Sequence, residues 1–135
     1  MSSEFAIQTA LFTVLSDDAA LTAIGPDIVD FGRSVDDAAT VFPFVEIGTI
    51  VLGESDTKNT TGFNAGLRIH TLSNSGSAKQ TRDIQGAIYD ALHRQDVSVT
   101  GFNSILLYRE QSDVMRAASG AFHGVCEYRW LLTKT

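Results

Sequence analysis

Residues 63–70 read FNAGLRIH and alternate strictly between two kinds of side chain. The odd-numbered positions hold Phe63, Ala65, Leu67 and Ile69, and the even-numbered positions between them are polar or glycine. Successive side chains of a β-strand point to opposite faces of the sheet, so this period of two predicts a half-buried strand. The sheet that contains this strand therefore has one face against a core and one face toward solvent.

A helix is predicted directly after this strand. Ser77 and Gln80 have the spacing of a capping box, in which each side chain bonds a backbone N–H at the helix start. Apolar residues then recur at helical spacing and form one stripe, which predicts an amphipathic helix: Ile84, Ala87, Ile88, Ala91 and Leu92. The charged residues of the segment lie outside that stripe and are expected to face water.

The remaining elements follow on either side of this strand and helix. The predicted helices are one that ends near Leu15 and a short one from Ala19 to Ile24; the other predicted strands are Ile28–Phe31, Phe44–Leu52, Ser104–Arg116 and Phe122–Thr133. Because the strands come in pairs and do not alternate with helices, the order favours an α+β fold. We expect one domain over residues 1–135, with an antiparallel or mixed sheet of about five strands and two main helices packed on one face.

Composition restricts the function classes. The formal net charge of −6 argues against a protein that grips nucleic acid through a broad basic face, although an acidic wall would suit a channel through which DNA passes. A single cysteine, Cys126, gives no internal disulfide. No apolar run approaches the roughly 20 residues of a membrane span, and the first residues lack the pattern of a signal peptide.

No catalytic, cofactor or metal site is predicted. The three histidines, His70, His93 and His123, have no metal-ligand spacing. His123 and Cys126 lie three residues apart on a predicted strand and should point to opposite faces. The acidic pairs occur in a cap or in polar loops, and no phosphate-binding or nucleophile motif is present. We therefore expect a protein that is not an enzyme.

A long polar loop between two predicted strands is the candidate contact site. Hairpin loops usually contain roughly two to five residues, and this one is longer and has no apolar anchor. It is interpreted either as a surface loop without fixed structure or as an arm that contacts a partner. The candidate residues are Gly53, Glu54, Ser55, Asp56, Thr57, Lys58, Asn59, Thr60, Thr61 and Gly62. A second polar segment, from Gly32 to Thr40, is similarly long.

The order of several short segments resembles a known family, the DUF3168-type tail terminators. These are small tail-completion proteins of long-tailed bacteriophages, prophage-like elements and gene-transfer particles. The resemblance covers nearly the whole chain and rests on LSDDAALTAI (15–24), GPDIVD (25–30), FPFVEIG (42–48), SDTKNTTG (55–62), the strand 67–72, IQGAIYDALH (84–93) and HGVCEYRW (123–130).

The resemblance implies a structural virion protein of the tail or neck, made in the cytoplasm of the bacterial host. Such a protein forms a ring with copies of itself, typically a hexamer, at the head-proximal end of the tail tube. The ring would end polymerisation of the tube protein and join the tail to the head connector or stopper protein. DNA would pass through the lumen without specific binding, and neither a cofactor nor a membrane would take part.

Two alternatives remain open at this point. A head–tail stopper or another neck protein would also form a ring, and the sequence hardly separates it from a tail terminator. A small ligand-binding or enzymatic α+β domain belongs to a different class and would need a pocket with convergent polar groups. Tyr128 and Trp130 could line such a pocket, although they are interpreted first as core residues.

Overall fold

A computed structural model of the chain describes residues 2–29, 42–117 and 120–135. Its elements are α1 (Ser3–Asp17), α2 (Ala19–Ile24), β1 (Asp27–Val29), β2 (Phe44–Glu54), β3 (Gly62–Ser73), α3 (Lys79–Leu92), β4 (Phe102–Arg116) and β5 (Phe122–Lys134). The five strands form one sheet in the order β1-β2-β3-β5-β4. β1 pairs with β2 in parallel, and the other neighbours are antiparallel, so the predicted α+β fold is confirmed as a mixed sheet with helices.

The core lies between the helices and one face of the sheet. The predicted alternation of β3 is confirmed, because Ala65, Leu67 and Ile69 are fully or almost fully buried. Opposite them in the antiparallel register stand Trp130, Tyr128 and Cys126 of β5, which are also buried. Inward-facing side chains of α1, α2 and α3 join the same cluster. Burial of these large side chains stabilises the fold by roughly 1.5–3 kcal/mol each.

Local capping explains where the first two helices begin and end. The N–H of Phe5 donates to Ser2 Oγ at the start of α1, and that of Leu21 donates to Asp18 Oδ2 at the start of α2. α2 ends at Gly25, whose φ of 88° places it in the left-handed region that glycine adopts without strain. The sequence predicts that the first helix ends near Leu15, but α1 continues two residues further to Asp17.

The predicted capping box of α3 is wrong. The N-cap is Ala78, and it makes no side-chain hydrogen bond to the helix. The side chain of Gln80 instead accepts a hydrogen bond from the hydroxyl of Ser73, a buried residue at the end of β3. Ser73, which lies seven residues before Gln80, therefore binds the side chain that the local pattern assigned to the helix cap.

Two sequence-based predictions lie partly or wholly outside the described residues. They are the polar segment from Gly32 to Thr40 and the predicted strand Ile28–Phe31, whose last two residues are not described.

The middle of the β4 edge is occupied by the two residues that follow α3. The carbonyl oxygen of Leu107 accepts a hydrogen bond from the N–H of Arg94 at 2.7 Å, and the N–H of Arg109 donates to His93 Nδ1 at 3.0 Å. An edge strand otherwise presents free N–H and C=O groups to any approaching strand. Here the residues that follow α3 bond those groups, so a full-length strand from another chain cannot add along β4.

Candidate functional site

The candidate contact residues form the tip of the β2–β3 hairpin. Gly53 and Glu54 are the last residues of β2, Gly62 is the first residue of β3, and residues 55–61 connect them. The N–H of Ser55 donates to the carbonyl of Gly62 at 2.9 Å, and that of Thr57 donates to the carbonyl of Thr60 at 2.9 Å. The loop is therefore closed by its own hydrogen bonds within one chain.

The base of this tip is tied to the sheet. Asp56 Oδ1 accepts a hydrogen bond from the N–H of Gly62 at 3.0 Å, and the carbonyl of Thr61 accepts one from the N–H of Lys134 in β5 at 2.8 Å. A side chain at Gly62 would place its Cβ 2.5 Å from the carbonyl oxygen of Ser55, so only glycine fits there. Residues 57–60 extend beyond this base and are exposed.

The face of the sheet that the helices do not cover carries charged side chains that pair with one another. Arg68 contacts Glu127 and Arg129 contacts Glu110, each at 2.8 Å. These pairs border a groove of about 590 Å³ whose lining includes Gly53 and Gly66. Sequence reasoning did not single out this groove, because its residues come from β2, β3, β4 and β5 and share no local pattern.

The groove has no evident chemistry. Each of the two carboxylates already accepts a hydrogen bond from an arginine, and Gln111 Nε2 donates a further one to Glu127. Neither carboxylate is desolvated as a general acid would need to be. Within residues 2–29, 42–117 and 120–135, no cluster of three metal-ligating side chains is found. The arrangement suits a contact surface better than a reaction site.

Two histidines on the same face bond each other. His70 Nδ1 lies 2.8 Å from His123 Nε2, with one ring donating and the other accepting. Burial is the main cause that lowers the pKa of both; for His70 the neighbouring His123 and Arg68 add to the effect. For His123, the carboxylate of Glu46 acts in the opposite direction and raises the pKa. The pair is therefore held neutral near pH 7.

This pair predicts a loss of stability in mild acid. Below the ordinary histidine pKa of about 6.5 the unfolded chain binds protons that the folded chain does not, so the free energy of unfolding falls as the pH decreases toward the lowered values. His123→Gln should reduce the difference in unfolding free energy between about pH 7.5 and about pH 5, measured by urea denaturation. An unchanged difference in the variant would contradict this role of the pair.

Cys126 lies on the opposite face from His123, as the sequence predicts. Its side chain is buried among core residues, and burial raises the pKa of its thiol to about 11. Burial also raises the pKa of the neighbouring Tyr128 hydroxyl. A thiol so far from ionisation is a poor nucleophile, and the interpretation of Cys126, Tyr128 and Trp130 as core residues is confirmed.

None of the helices described is long and apolar enough to cross a membrane.

Comparison with known proteins adds two matches. The family model of the tail completion protein gp17 matches residues 9–133. Among solved structures, a chain from the virion of a native gene transfer agent particle superimposes with a TM-score of 0.85 at 18% identity, over 98% of each chain. At that identity the likeness concerns the fold. No curated protein sequence matches the chain.

Proposed function

The chain belongs to the family of the tail completion protein gp17, and from this premise we propose that it forms a ring at the head-proximal end of a tail tube. As a member of that family it is a structural protein of a phage-type tail and a component of the virion. The proposed ring ends polymerisation of the tube protein and joins the tail to the head connector. No catalytic step belongs to this role.

The extent of the family match is the observation that carries the proposal. It begins within α1 and ends in β5, so it includes every strand and helix of the structure apart from the first turns of α1. The described fold as a whole is therefore the unit that family members share. Agreement in fold with a chain of a gene transfer agent virion supports the same assignment.

A ring of this kind would work through geometry. Identical subunits related by rotation use two different surfaces, one of each neighbour, and the circle closes when the rotation angle allows it. The face toward the tube would copy the pairing surface of the tube protein, and the other face would not, so growth stops. The net charge of −6 would repel the phosphates of DNA that passes through the lumen.

We place the contact with a neighbouring subunit or with the tube at the hairpin tip. Residues 57–60 lie beyond the last strand pairs, and the bonds of Asp56 and Thr61 hold them in a defined position. A pre-ordered tip loses less conformational entropy on binding than a free loop would. Lys58 is the one charged side chain of residues 57–60 and gives these four residues a charge opposite to that of the protein as a whole.

Electron microscopy of the purified protein, alone and with its tube partner, tests the ring. Rings of roughly six subunits, or tubes capped at one end, are the expected result, and a protein that stays monomeric and ignores the tube would refute it. Binding to the connector without binding to the tube would indicate a head–tail stopper. The tube without this protein is the control, and it should grow to uncontrolled length.

A further inference from the structure

Two charged side chains stand at helix ends where the helix dipole disfavours them. Asp17 is the last residue of α1, and Arg82 closes the first turn of α3. Negative charge is stabilising at a helix N-terminus and positive charge at a C-terminus, so Arg82 has the wrong sign for the start of α3. Asp17 has the wrong sign for the end of α1 and the right sign for the start of α2, which follows it. Of the described ion pairs, none includes either residue, whereas Lys79 beside Arg82 pairs with Asp83 at 2.7 Å.

Asp17 lies in an acidic corner, which we define as residues 16–20, where α1 ends and α2 begins. Residues 2–29 contain four carboxylates and no lysine or arginine. Ser16 and Asp27 line a groove of about 360 Å³ beside β1, one of the two edge strands. Phe12, which lines the same groove, leaves 46% of its surface exposed. This edge of the subunit is therefore both acidic and partly apolar.

Arg82 lies at the opposite edge of the sheet. It lines a groove of about 330 Å³ together with Arg109 and Ser112 of β4, the other edge strand. The Arg109 guanidinium stacks over the ring of Tyr89 at 4.3 Å, which holds it in place. The acidic residue that lines this groove is Asp113, and its Oδ1 accepts a hydrogen bond from the backbone N–H of Val114. We call this the arginine groove.

We propose that the acidic corner of one copy of this chain docks in the arginine groove of the next copy. The inference rests on the proposed ring and specifies its subunit contact. Because the two surfaces lie at opposite edges of the sheet, their pairing is heterologous, which is the kind of contact that closes a ring. In this contact Asp17 of one copy lies against the positive charge of Arg82 in the next copy. The same contact covers the exposed surface of Phe12.

This contact is consistent with the blocked middle of the β4 edge. Arg94 and His93 already bond Leu107 and Arg109, so the neighbouring copy cannot extend the sheet along the whole strand. Side-chain charge then sets the register of the two copies, as complementary charges do at other interfaces. Salt should weaken the contact, because partly exposed charges are screened over about 8–10 Å at physiological ionic strength.

Charge reversal separates assembly from folding. Arg82→Glu places a favourable charge at the start of α3, so its melting temperature should equal or exceed that of the wild type. Asp17→Lys lies between the end of α1 and the start of α2, where the two helix dipoles act in opposite directions, so its melting temperature should stay close to that of the wild type. Each single variant should assemble into rings at least about tenfold more weakly, because like charges then face each other. The double variant carries the exchanged pair and should recover most of the lost assembly.

Asp96→Lys makes the same change of net charge as Asp17→Lys at an exposed site elsewhere and should assemble as the wild type does. Assembly is measured by electron microscopy and sedimentation, alone and on the tube, at two salt concentrations. Wild-type-like rings from both single variants, or a double variant that recovers nothing, would overturn the contact and leave the ring standing. A wild type that forms no ring under any of these conditions would overturn both the ring and the contact.

Discussion

Trp130→Ala is expected to lower the free energy of unfolding by about 3–5 kcal/mol, the largest loss of stability from a single truncation in this chain. The side chain is completely buried on β5, where it stands opposite Ala65 in the register. Its removal loses apolar burial and leaves a cavity between sheet and helices that neighbouring side chains fill only in part. Urea denaturation of the two proteins at about pH 7.5 measures the difference.

A matched variant separates the packing of Trp130 from its hydrogen bond. The indole N–H donates to Ser104 Oγ at 2.8 Å, so Ser104→Ala leaves the ring in place and removes the acceptor. We expect a cost of about 1–3 kcal/mol for the unsatisfied donor. If Trp130→Ala cost no more than Ser104→Ala, the ring would not be a main support of the core.

Shortening the hairpin tip should have the largest effect on function with little effect on the fold. Replacing residues 57–60 by the two-residue turn Asn-Gly keeps Ser55, Asp56 and Gly62, whose bonds close the hairpin. Asn-Gly suits a tight hairpin turn. If the tip contacts a neighbour or the tube, tails made with this variant should be of irregular length or fail to join heads, while its melting temperature stays close to that of the wild type.

A second variant distinguishes the reach of the tip from its side chains. Gly-Ser-Gly-Ser at residues 57–60 retains the length and removes Lys58 and the other side chains. Failure of the short variant alone would mean that the backbone makes the contact, and failure of both would point to the side chains. Tails of normal length joined to heads in both cases would show that the tip is not a contact site.

Local patterns were sufficient for most of the elements. The alternation of residues 63–70 and the apolar stripe of α3 depend on neighbours within a few positions along the chain. A helix and a strand can be told apart from this spacing alone, because side chains repeat every 3.6 residues in a helix and every 2 residues in a strand. The α3 capping box failed for the converse reason, since Ser73 reached Gln80 from outside the pattern.

The candidate site was only partly visible in the sequence. The polar loop was found from its length and composition, but its anchoring by Asp56 and by Lys134 was not, because neither bond follows a local rule. The paired charges of the open face and the bonded histidines were missed altogether. His70 and His123 are 53 residues apart along the chain, and Arg68 and Glu127 are 59 residues apart, so no local pattern links them.

The amino-acid sequence by itself determined the elements, the buried faces of β3 and β5, the absence of a recognisable catalytic motif and the resemblance to tail-completion proteins. These properties depend on spacing, composition and segment order, which a linear chain contains in full. Only the tertiary structure decided which parts of the edge strands can still accept a further strand. It also decided which charged side chains form ion pairs. The sheet order β1-β2-β3-β5-β4 puts the groove lined by Ser16 and Asp27 and the groove lined by Arg82 at opposite edges, and no local rule of the sequence relates two surfaces so far apart.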